Sequence, residues 1–257
     1  MENIPNYFIS DSAAERYKKG RPFFHPVVIE QIRNRLSLKA RVELALDVAC
    51  GTGLSAKSLL PIASKVIGID SSEAMLSQCE LHPRITFLHS PAENLPVSDQ
   101  SIDMITVSQG IHWFDQGKFF GEVVRVLKPR GRVAIYDNFF KGQLIGNEHF
   151  AEWMMRSYYH TFPVPPRRKF VWENVADEYP LLEKIGEDRL TIEAEFNRDS
   201  LVAYLTTQSN VIGVVEGGTR KIEDVQEWLA AELSTFFPFG VMRSFLFESP
   251  IEYFKKR

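Results

Sequence analysis

Between residues 44 and 136 the chain alternates short apolar runs with segments of helical periodicity. The apolar runs have the length of strands, and the segments between them start at capping residues or stop at proline and glycine. Strand–helix–strand repeats predict right-handed crossovers and a parallel sheet covered on both faces. We therefore predict an α/β fold with strands at 44–49, 65–70, 85–89, 102–107 and 132–136.

The pattern changes after residue 136. Residues 139–185 are rich in aromatic side chains, and we predict an irregular helical insertion there. Beyond it we predict a strand at 190–196, a helix at 200–211 capped by Asp199 or Ser200, a helix at 222–237 and a last strand at 245–253. The aromatic residues of the insertion are expected to form its own core: Trp153, Tyr158, Tyr159, Phe162 and Trp172.

The composition disfavours several classes of protein. The formal net charge is −3 and the basic residues cluster only as far as the triple at 167–169, so a nucleic-acid substrate is not expected. No apolar stretch approaches the roughly 20 residues of a membrane span, so we expect no membrane partner. The two cysteines, Cys50 and Cys79, lack metal-ligand spacing. We therefore expect a cytoplasmic protein without a bound metal.

A glycine-rich turn follows the first predicted strand. Residues 51–56 fit the pattern G-x-G-x-x-A, which allows a sharp turn and a close approach of the backbone to a ligand. Asp70 ends the next strand, 19 residues after Gly51, where its carboxylate would meet a ribose diol. This pair predicts a ligand that contains adenosine, either a nicotinamide cofactor or S-adenosylmethionine.

Asp47 separates these two cofactors by its charge. It lies four residues before Gly51, at the mouth of the same turn. A carboxylate there would repel a pyrophosphate but would suit a ligand that carries an ammonium and a sulfonium, by direct contact or through water. Asp47 could also pin the loop by accepting backbone N–H bonds, and both roles are compatible.

Five segments resemble, in order, the motifs of the class I S-adenosylmethionine-dependent methyltransferases. They lie at 45–53, which is similar to LDLGCGTG, and at 66–76, 90–96, 98–107 and 127–132. The resemblance covers about residues 40–137. It implies a Rossmann-like fold with a mostly parallel seven-stranded sheet, helices on both faces and an inserted helical lid, and it implies S-adenosyl-L-methionine as the cofactor.

The resemblance also implies the cofactor-binding residues. Ala49 replaces a usual glycine, which is tolerable if its φ stays negative. Pro91 replaces an acid beside the adenine, so that recognition would rely on the backbone of Ala92 and on side chains such as Glu93. The complete implied set is Asp47, Ala49, Cys50, Gly51, Gly53, Asp70, Ser71, Met75, Ala92, Glu93 and Gln109.

Two further segments concern the acceptor of the methyl group. Residues 112–115, His-Trp-Phe-Asp, follow the fourth strand, and residues 13–22 resemble the A-x-x-Y-x-x-x-R-P entry of type 11 methyltransferases such as the trans-aconitate and cantharidin group. This implies a small-molecule acceptor, with a carboxylic acid as the candidate, and His112, Arg21 and Tyr17 as catalytic residues. His112 could equally be structural, and Arg21 could be a surface residue beside Pro22.

We expect one methyltransferase domain over residues 1–257. Its cofactor-binding core would span about 40–137, and about 1–25 and 139–185 would form a substrate cap. The predicted reaction is O-methylation of a small molecule. The alternatives are C- or N-methylation of another metabolite, a non-catalytic module that binds S-adenosylmethionine, and a nicotinamide-dependent oxidoreductase, which Asp47 disfavours.

Overall fold

A computed structural model describes residues 7–166, 174–238 and 240–257. The expected core residue Trp172 and the basic triple at 167–169 lie outside this range. The described residues form two compact units. The core unit is drawn from Phe23–Asn138, Arg167–Leu190 and Ser249–Arg257, and the aromatic unit is drawn from Met1–Pro22, Phe139–Pro166 and Thr191–Glu248.

Eight strands and eleven α-helices are present in the described residues. The strands are β1 Val42–Val48, β2 Ala63–Asp70, β3 Ile85–His89, β4 Ile102–Ser108, β5 Leu127–Tyr136, β6 Phe139–Leu144, β7 Leu182–Phe196 and β8 Arg243–Lys256. The helices are α1 Asp11–Gly20, α2 His25–Arg35, α3 Leu54–Ser58, α4 Glu73–Ser77, α5 Gln116–Val126, α6 His149–Trp153, α7 Tyr159–Thr161, α8 Asn174–Glu178, α9 Arg198–Leu205, α10 Ser209–Glu216 and α11 Ile222–Leu233.

The core unit has the predicted parallel sheet. Its strands run in the order β3-β2-β1-β4-β5, all parallel, and residues 251–255 of β8 pair antiparallel with β5. The chain order reverses between β1 and β4, and ligands of such sheets bind beyond the carboxyl ends of the strands at this point. The predicted α/β class and the mostly parallel sheet are therefore confirmed.

The central strands of this sheet are buried, which accounts for the apolar runs from which they were predicted. The side chains of β1 and β4 are buried on both faces, as is typical of central parallel strands. They pack against apolar residues of α5, among them Phe119, Phe120 and Val123. Burial of each such side chain contributes roughly 1.5–3 kcal/mol. This core holds the loops at the carboxyl ends of the strands in place.

The predicted helical insertion at 139–185 is wrong in part. Residues 139–144 form β6, which pairs with β8 through Phe139 opposite Glu248 and Phe140 opposite Phe247. The strand β7 already begins at Leu182. The described residues therefore contain one strand more than the seven expected. The six residues of β6 are too few to show a period, and their pairing partners lie about a hundred positions away.

Two predicted helices also end differently. The helix expected at 200–211 is two helices, because α9 ends at Leu205 and α10 begins at Ser209. Neither Asp199 nor Ser200 is the cap: Asn197 accepts the N–H of Ser200, and the Ser200 side chain accepts the N–H of Asn197. This reciprocal pair is a capping box with asparagine and serine. The helix expected at 222–237 ends at Leu233.

Aromatic side chains form the interior of the aromatic unit. Phe150 lies within 5.3 Å of the rings of Trp153, Phe236 and Phe245, measured between centroids. Trp153, Tyr158 and Phe162 are buried as expected, and Tyr159 is half-buried. Among the described helices of the whole chain, none has the length and apolar character to cross a membrane.

Candidate cofactor site

Three residues of the loop after β1, at alternate positions, have a left-handed backbone conformation. Ala49 has φ 59°, Gly51 has φ 53° and Gly53 has φ 81°. The expectation of a negative φ at Ala49 is therefore wrong. Glycine adopts this conformation freely, but the Cβ of alanine crowds the carbonyl oxygen and costs roughly 1–2 kcal/mol. The turn therefore contains a strained backbone conformation at Ala49.

The same loop leaves no room for side chains at its glycines. A Cβ at Gly53 would lie 2.9 Å from Cζ of Phe87, and one at Gly51 would lie 3.1 Å from Cε of Met75. A Cβ at Gly110, in the loop after β4, would lie 2.7 Å from the Cβ of Ala49. The glycines thus allow the backbone approach that a bound nucleoside requires, and the loops after β1 and β4 touch at Ala49.

We expect Ala49→Gly to stabilise the protein by about 0.5–1 kcal/mol, because relief of the strain exceeds the added entropy of the unfolded chain. Urea unfolding without ligand measures the change. Ala45→Gly is the matched control, since Ala45 is buried within β1 and not among the residues with positive φ. That variant should be destabilised. If both variants lose stability alike, the methyl contact of Ala49 outweighs its strain.

Asp47 lies at the carboxyl end of β1 with no exposed surface. Its carboxylate accepts hydrogen bonds from the hydroxyls of Ser55, at 2.5 Å, and Thr106, at 2.7 Å. Burial raises the pKa of Asp47 to about 7, with a further increase from Asp70 and an opposing effect of the two hydroxyls. Asp47 therefore ties α3 and β4 to β1 through the hydroxyls of two side chains, a variant of the alternative role in which it pins the loop.

Asp70 lies beside the glycine loop. Its Oδ2 accepts the N–H of Gly51 at 2.8 Å, and its Oδ1 accepts the N–H of Ser72 at 2.9 Å. Burial raises the pKa of Asp70, and these backbone bonds counteract the rise. A carboxylate has about four acceptor positions, so two hydroxyls of a ribose can still bind. Asp70 and the glycine loop, which the sequence placed together, are thus joined by a hydrogen bond.

Other predicted cofactor residues surround this pair. Ser72 caps α4 by accepting the N–H of Met75, and Met75 is buried against Gly51. Ser71 is exposed. The thiol of Cys50 is buried, and both it and the thiol of Cys79 approach the carbonyl oxygen of Gly51. Contact with Cys79, together with burial, raises the pKa of the Cys50 thiol.

The loop after β3 is tied to two other elements. Glu93 accepts the N–H of Asp115 at 2.6 Å, so that its carboxylate links this loop to the start of α5. Ala92 is buried. Sequence reasoning missed Glu122, which accepts the N–H of Leu95, and Arg125, which donates to the carbonyl oxygen of Leu95. Their spacing of three residues between two predicted strands, which places both side chains on one face of a helix, was the available signal.

The loop after β4 carries the remaining predicted residues of the core unit. Gln109 has φ 56°, and its N–H donates to the carbonyl oxygen of Tyr136 at 2.9 Å. The half-buried His112 lies on a short 3-10 turn, with its ring 4.9 Å from that of Trp113. Sequence reasoning missed a second histidine at this edge, His25, whose Nδ1 lies 2.9 Å from the hydroxyl of Tyr136.

Arg21 and Tyr17 lie in the aromatic unit. The guanidinium of Arg21 is centred 4.6 Å from the ring of Tyr17 and 5.5 Å from the ring of Tyr204. It also donates to the carbonyl oxygen of Thr207 at 3.1 Å. Arg21 is therefore half-buried and held by specific contacts, and is not the solvated surface residue of the alternative interpretation.

The chain is similar to known proteins in sequence and in fold. Residues 46–135 match the family model described as a methyltransferase domain. A Dictyostelium discoideum protein whose name assigns it to the methyltransferases is 23% identical over 232 residues, which cover 87% of this chain and 86% of that protein. A yeast protein described as an S-adenosylmethionine-dependent methyltransferase is 29% identical over 139 residues, covering 51% of this chain and 47% of its own length.

A Mycobacterium tuberculosis protein described as an uncharacterized methyltransferase is 33% identical over 128 residues, 49% of this chain and 51% of that one. The chain thus matches about half the length of the yeast and mycobacterial relatives. A solved methyltransferase structure from Anaeromyxobacter dehalogenans superposes with a TM-score of 0.69 at 24% identity, over 92% of this chain and 97% of that one. That likeness supports the fold.

The sheet order of the core unit is that of a class I methyltransferase fold, and homologues of the chain are named S-adenosylmethionine-dependent methyltransferases. Residues 46–135 match the methyltransferase domain model, and the homologues and fold neighbours of this chain are methyltransferases. The predicted family, fold class, enzyme class and cofactor are confirmed. The individual site residues and the single-domain organisation remain predictions.

Proposed function

We propose that this methyltransferase acts on a small molecule that carries a carboxylate, and that the product is its methyl ester. The observation that carries the proposal is the setting of Arg21. Its guanidinium is held between two tyrosine rings and a backbone carbonyl, so little side-chain entropy remains to be lost when an anion binds. The net charge of −3, without an extended basic run, favours a small anion over a polynucleotide.

In this proposal the core unit holds the cofactor. Asp70 accepts the ribose hydroxyls, and the loop from Ala49 through Cys50 and Gly51 to Gly53 approaches the nucleoside through its backbone. Asp47 favours the positive charge from its buried position. The remaining predicted contacts are placed at the ribose, the adenine and the methionine end: Ser71, Met75, Ala92, Glu93 and Gln109.

When bound, S-adenosylmethionine supplies a methyl group on a positively charged sulfur, which is already a good leaving group. The protein then contributes mainly alignment and the exclusion of water. A carboxylate acceptor has no proton to lose, so no general base is required. Tyr17 supports the guanidinium of Arg21 by their ring contact. His112 donates a hydrogen bond to the acceptor.

We expect S-adenosylhomocysteine to stabilise the protein, whereas NADH does not. At a hundredfold excess over its Kd, a ligand adds about 2.7 kcal/mol. For a chain of this size that corresponds to a rise in Tm of roughly 5–10 °C. A thermal-shift titration with both ligands measures it. Stabilisation by NADH alone would contradict the assignment of the cofactor site.

The acceptor is tested with tritiated S-adenosylmethionine and a panel of small carboxylic acids, phenols and amines. We expect transfer to acids, and for Arg21→Lys a rise of about tenfold or more in the KM of the acid, because lysine lacks the planar fork that binds both oxygens. The affinity for S-adenosylhomocysteine should stay within about threefold. Arg16→Lys is the control, since Arg16 on the same helix pairs with Glu216 at 2.7 Å.

Three outcomes of the panel would overturn the proposal. Preferred transfer to amines or to carbon would make the enzyme an N- or C-methyltransferase. Binding of S-adenosylhomocysteine without transfer to any class of acceptor would favour a non-catalytic module. Equal loss of cofactor and acceptor binding in Arg21→Lys would assign Arg21 to the cofactor or to the fold.

A further inference from the structure

We propose that His25 is a catalytic residue that contacts the methyl acceptor, and that Tyr136 is the positioning residue that orients its imidazole ring. The proposal rests on the function proposed above and concerns the carboxyl edge of the sheet within the core unit. His25 is the first residue of α2 and is half-buried, and Tyr136 is the last residue of β5.

The hydrogen bond between the two side chains is the starting observation. Nδ1 of His25 lies 2.9 Å from the hydroxyl of Tyr136, and the ring centroids are 6.0 Å apart at an angle of 70°. Tyr136 is 2% exposed, so its hydroxyl is fixed within the protein. The ring of Phe23 packs edge-on against the imidazole with a centroid distance of 6.0 Å. These contacts restrict the ring to one orientation.

A continuous path of contacts within the core unit connects His25 to the cofactor loop. Ala49 of that loop touches Gly110, since a Cβ on this glycine would lie 2.7 Å from the Cβ of Ala49. The neighbouring residue Gln109 donates its N–H to the carbonyl oxygen of Tyr136. Tyr136 then holds His25. His25 is thus separated from the cofactor loop by the residues after β4 and the last residue of β5.

The position of Tyr136 at the end of β5 places His25 at the carboxyl edge of the sheet. Tyr136 stands opposite Ser108 in the register of β4 and β5, so both strands end at the same edge. Ligands of open parallel sheets lie beyond this carboxyl edge. Asp47 and Asp70 mark the cofactor side of the edge, at the ends of β1 and β2. The ends of β4 and β5, where His25 lies, are then the side for the acceptor.

The chemistry of a fixed imidazole suits this place. A proton of the Tyr136 hydroxyl donated to Nδ1 selects the tautomer with its N–H at Nε2, which can donate to a carboxylate oxygen. The second carboxylate oxygen then forms the bond to the methyl carbon, and the electron pair of the carbon–sulfur bond goes to sulfur. No proton moves in this reaction, so His25 acts as a hydrogen-bond donor that aligns the attacking group.

The test compares S-adenosylmethionine with S-adenosylhomocysteine, because the two differ only in the methyl group and the positive charge on sulfur. Protein labelled with 15N-histidine is titrated from pH 5 to 8 in each complex, and His25→Gln assigns the signals. We expect the pKa of His25 to be lower by about 0.5–1 with S-adenosylmethionine, through repulsion by the sulfonium. The control signals are those of His82, three residues before β3, and His149, in the aromatic unit, and they should be the same in both complexes.

Tyr136→Phe tests the positioning role. This variant keeps the ring but removes the hydroxyl, so we expect the difference between the two complexes at His25 to shrink by half or more. A purely structural role of Tyr136 would leave the difference unchanged. With an acid found in the panel, His25→Gln should lower kcat/KM by about 100-fold and leave the Kd of S-adenosylhomocysteine within threefold.

The outcomes separate the two proposals. Equal titration of His25 in both complexes would overturn its placement at the acceptor, even if transfer to acids is observed. A clear difference at His25 together with transfer only to amines would retain its position and overturn the carboxylate acceptor. If neither ligand binds, the cofactor assignment and with it the placement of His25 are both overturned.

Discussion

As the pH rises from 4 to 8, we expect the ionisation of Asp47 to lower the free energy of unfolding of the ligand-free protein by about 4 kcal/mol. The folded state raises the pKa of this carboxyl from 3.8 to about 7. Between these two values the folded protein holds a proton that the unfolded chain has released. The contribution of Asp47 to stability is therefore fully present below pH 4 and declines until the pH exceeds 7.

The measurement is urea unfolding at several pH values from 4.5 to 8 with Asp47→Asn beside the wild type. The asparagine is neutral throughout, so its stability relative to the wild type should increase with pH by up to about 4 kcal/mol. The pKa of Asp70 is raised as well, and its interaction with Asp47 is the smallest of the causes that shift the pKa of Asp47, so burial of Asp47 dominates the comparison. Asp224→Asn, at an exposed carboxyl, should run parallel to the wild type. A parallel curve for Asp47→Asn would contradict the burial of a protonated Asp47.

The cost of ionising Asp47 has a consequence for binding. We expect a cationic ligand bound close to Asp47 to favour its charged carboxylate and therefore to lower its pKa. Binding between pH 5 and 7 should therefore release a proton. Asp47 is buried, and each of its oxygens accepts a hydrogen bond from a hydroxyl. Its attraction to a cationic ligand would therefore act over a distance, through a region of low dielectric.

The parallel sheet could be predicted from the sequence because its signals are local. The strands β1 to β5 are apolar runs that end in glycine, aspartate or proline turns, and each lies within a few residues of its predicted position. The N-cap Ser72 and the pairing of Asp70 with Gly51 follow from the same short segment. Local patterns of this kind need no knowledge of distant residues.

The parts that were missed depend on distant partners or on backbone strain. His25 and Tyr136 are 111 positions apart, and no local sequence pattern predicts that they are in contact. Family resemblance places Glu93 beside the adenine, and the sequence gives no sign that its carboxylate also accepts the N–H of Asp115. Ala49 adopts a left-handed φ because the surrounding loop demands it, against the local preference of alanine.

Asp70→Ala is expected to weaken the binding of S-adenosylhomocysteine by roughly 2–4 kcal/mol, or about 30- to 700-fold in Kd. Two effects combine in this loss. The ribose hydroxyls lose a charged acceptor, and the N–H of Gly51 loses the oxygen that holds the loop at 2.8 Å. Asp70→Asn retains one acceptor oxygen and should lie between the wild type and the alanine variant.

The matched control is Asp103→Ala. Asp103 also accepts a backbone N–H, that of Leu44 at 2.9 Å, but it stands near the start of β4, at the opposite edge of the sheet from Asp70. Its loss should disturb the local backbone to a similar degree and leave the Kd unchanged. Calorimetric titration of all four proteins gives the affinities, and circular dichroism confirms that each is folded. Equal affinities for Asp70→Ala and the wild type would mean that the ribose binds elsewhere, whereas equal losses in Asp70→Ala and Asp103→Ala would assign the effect to the fold.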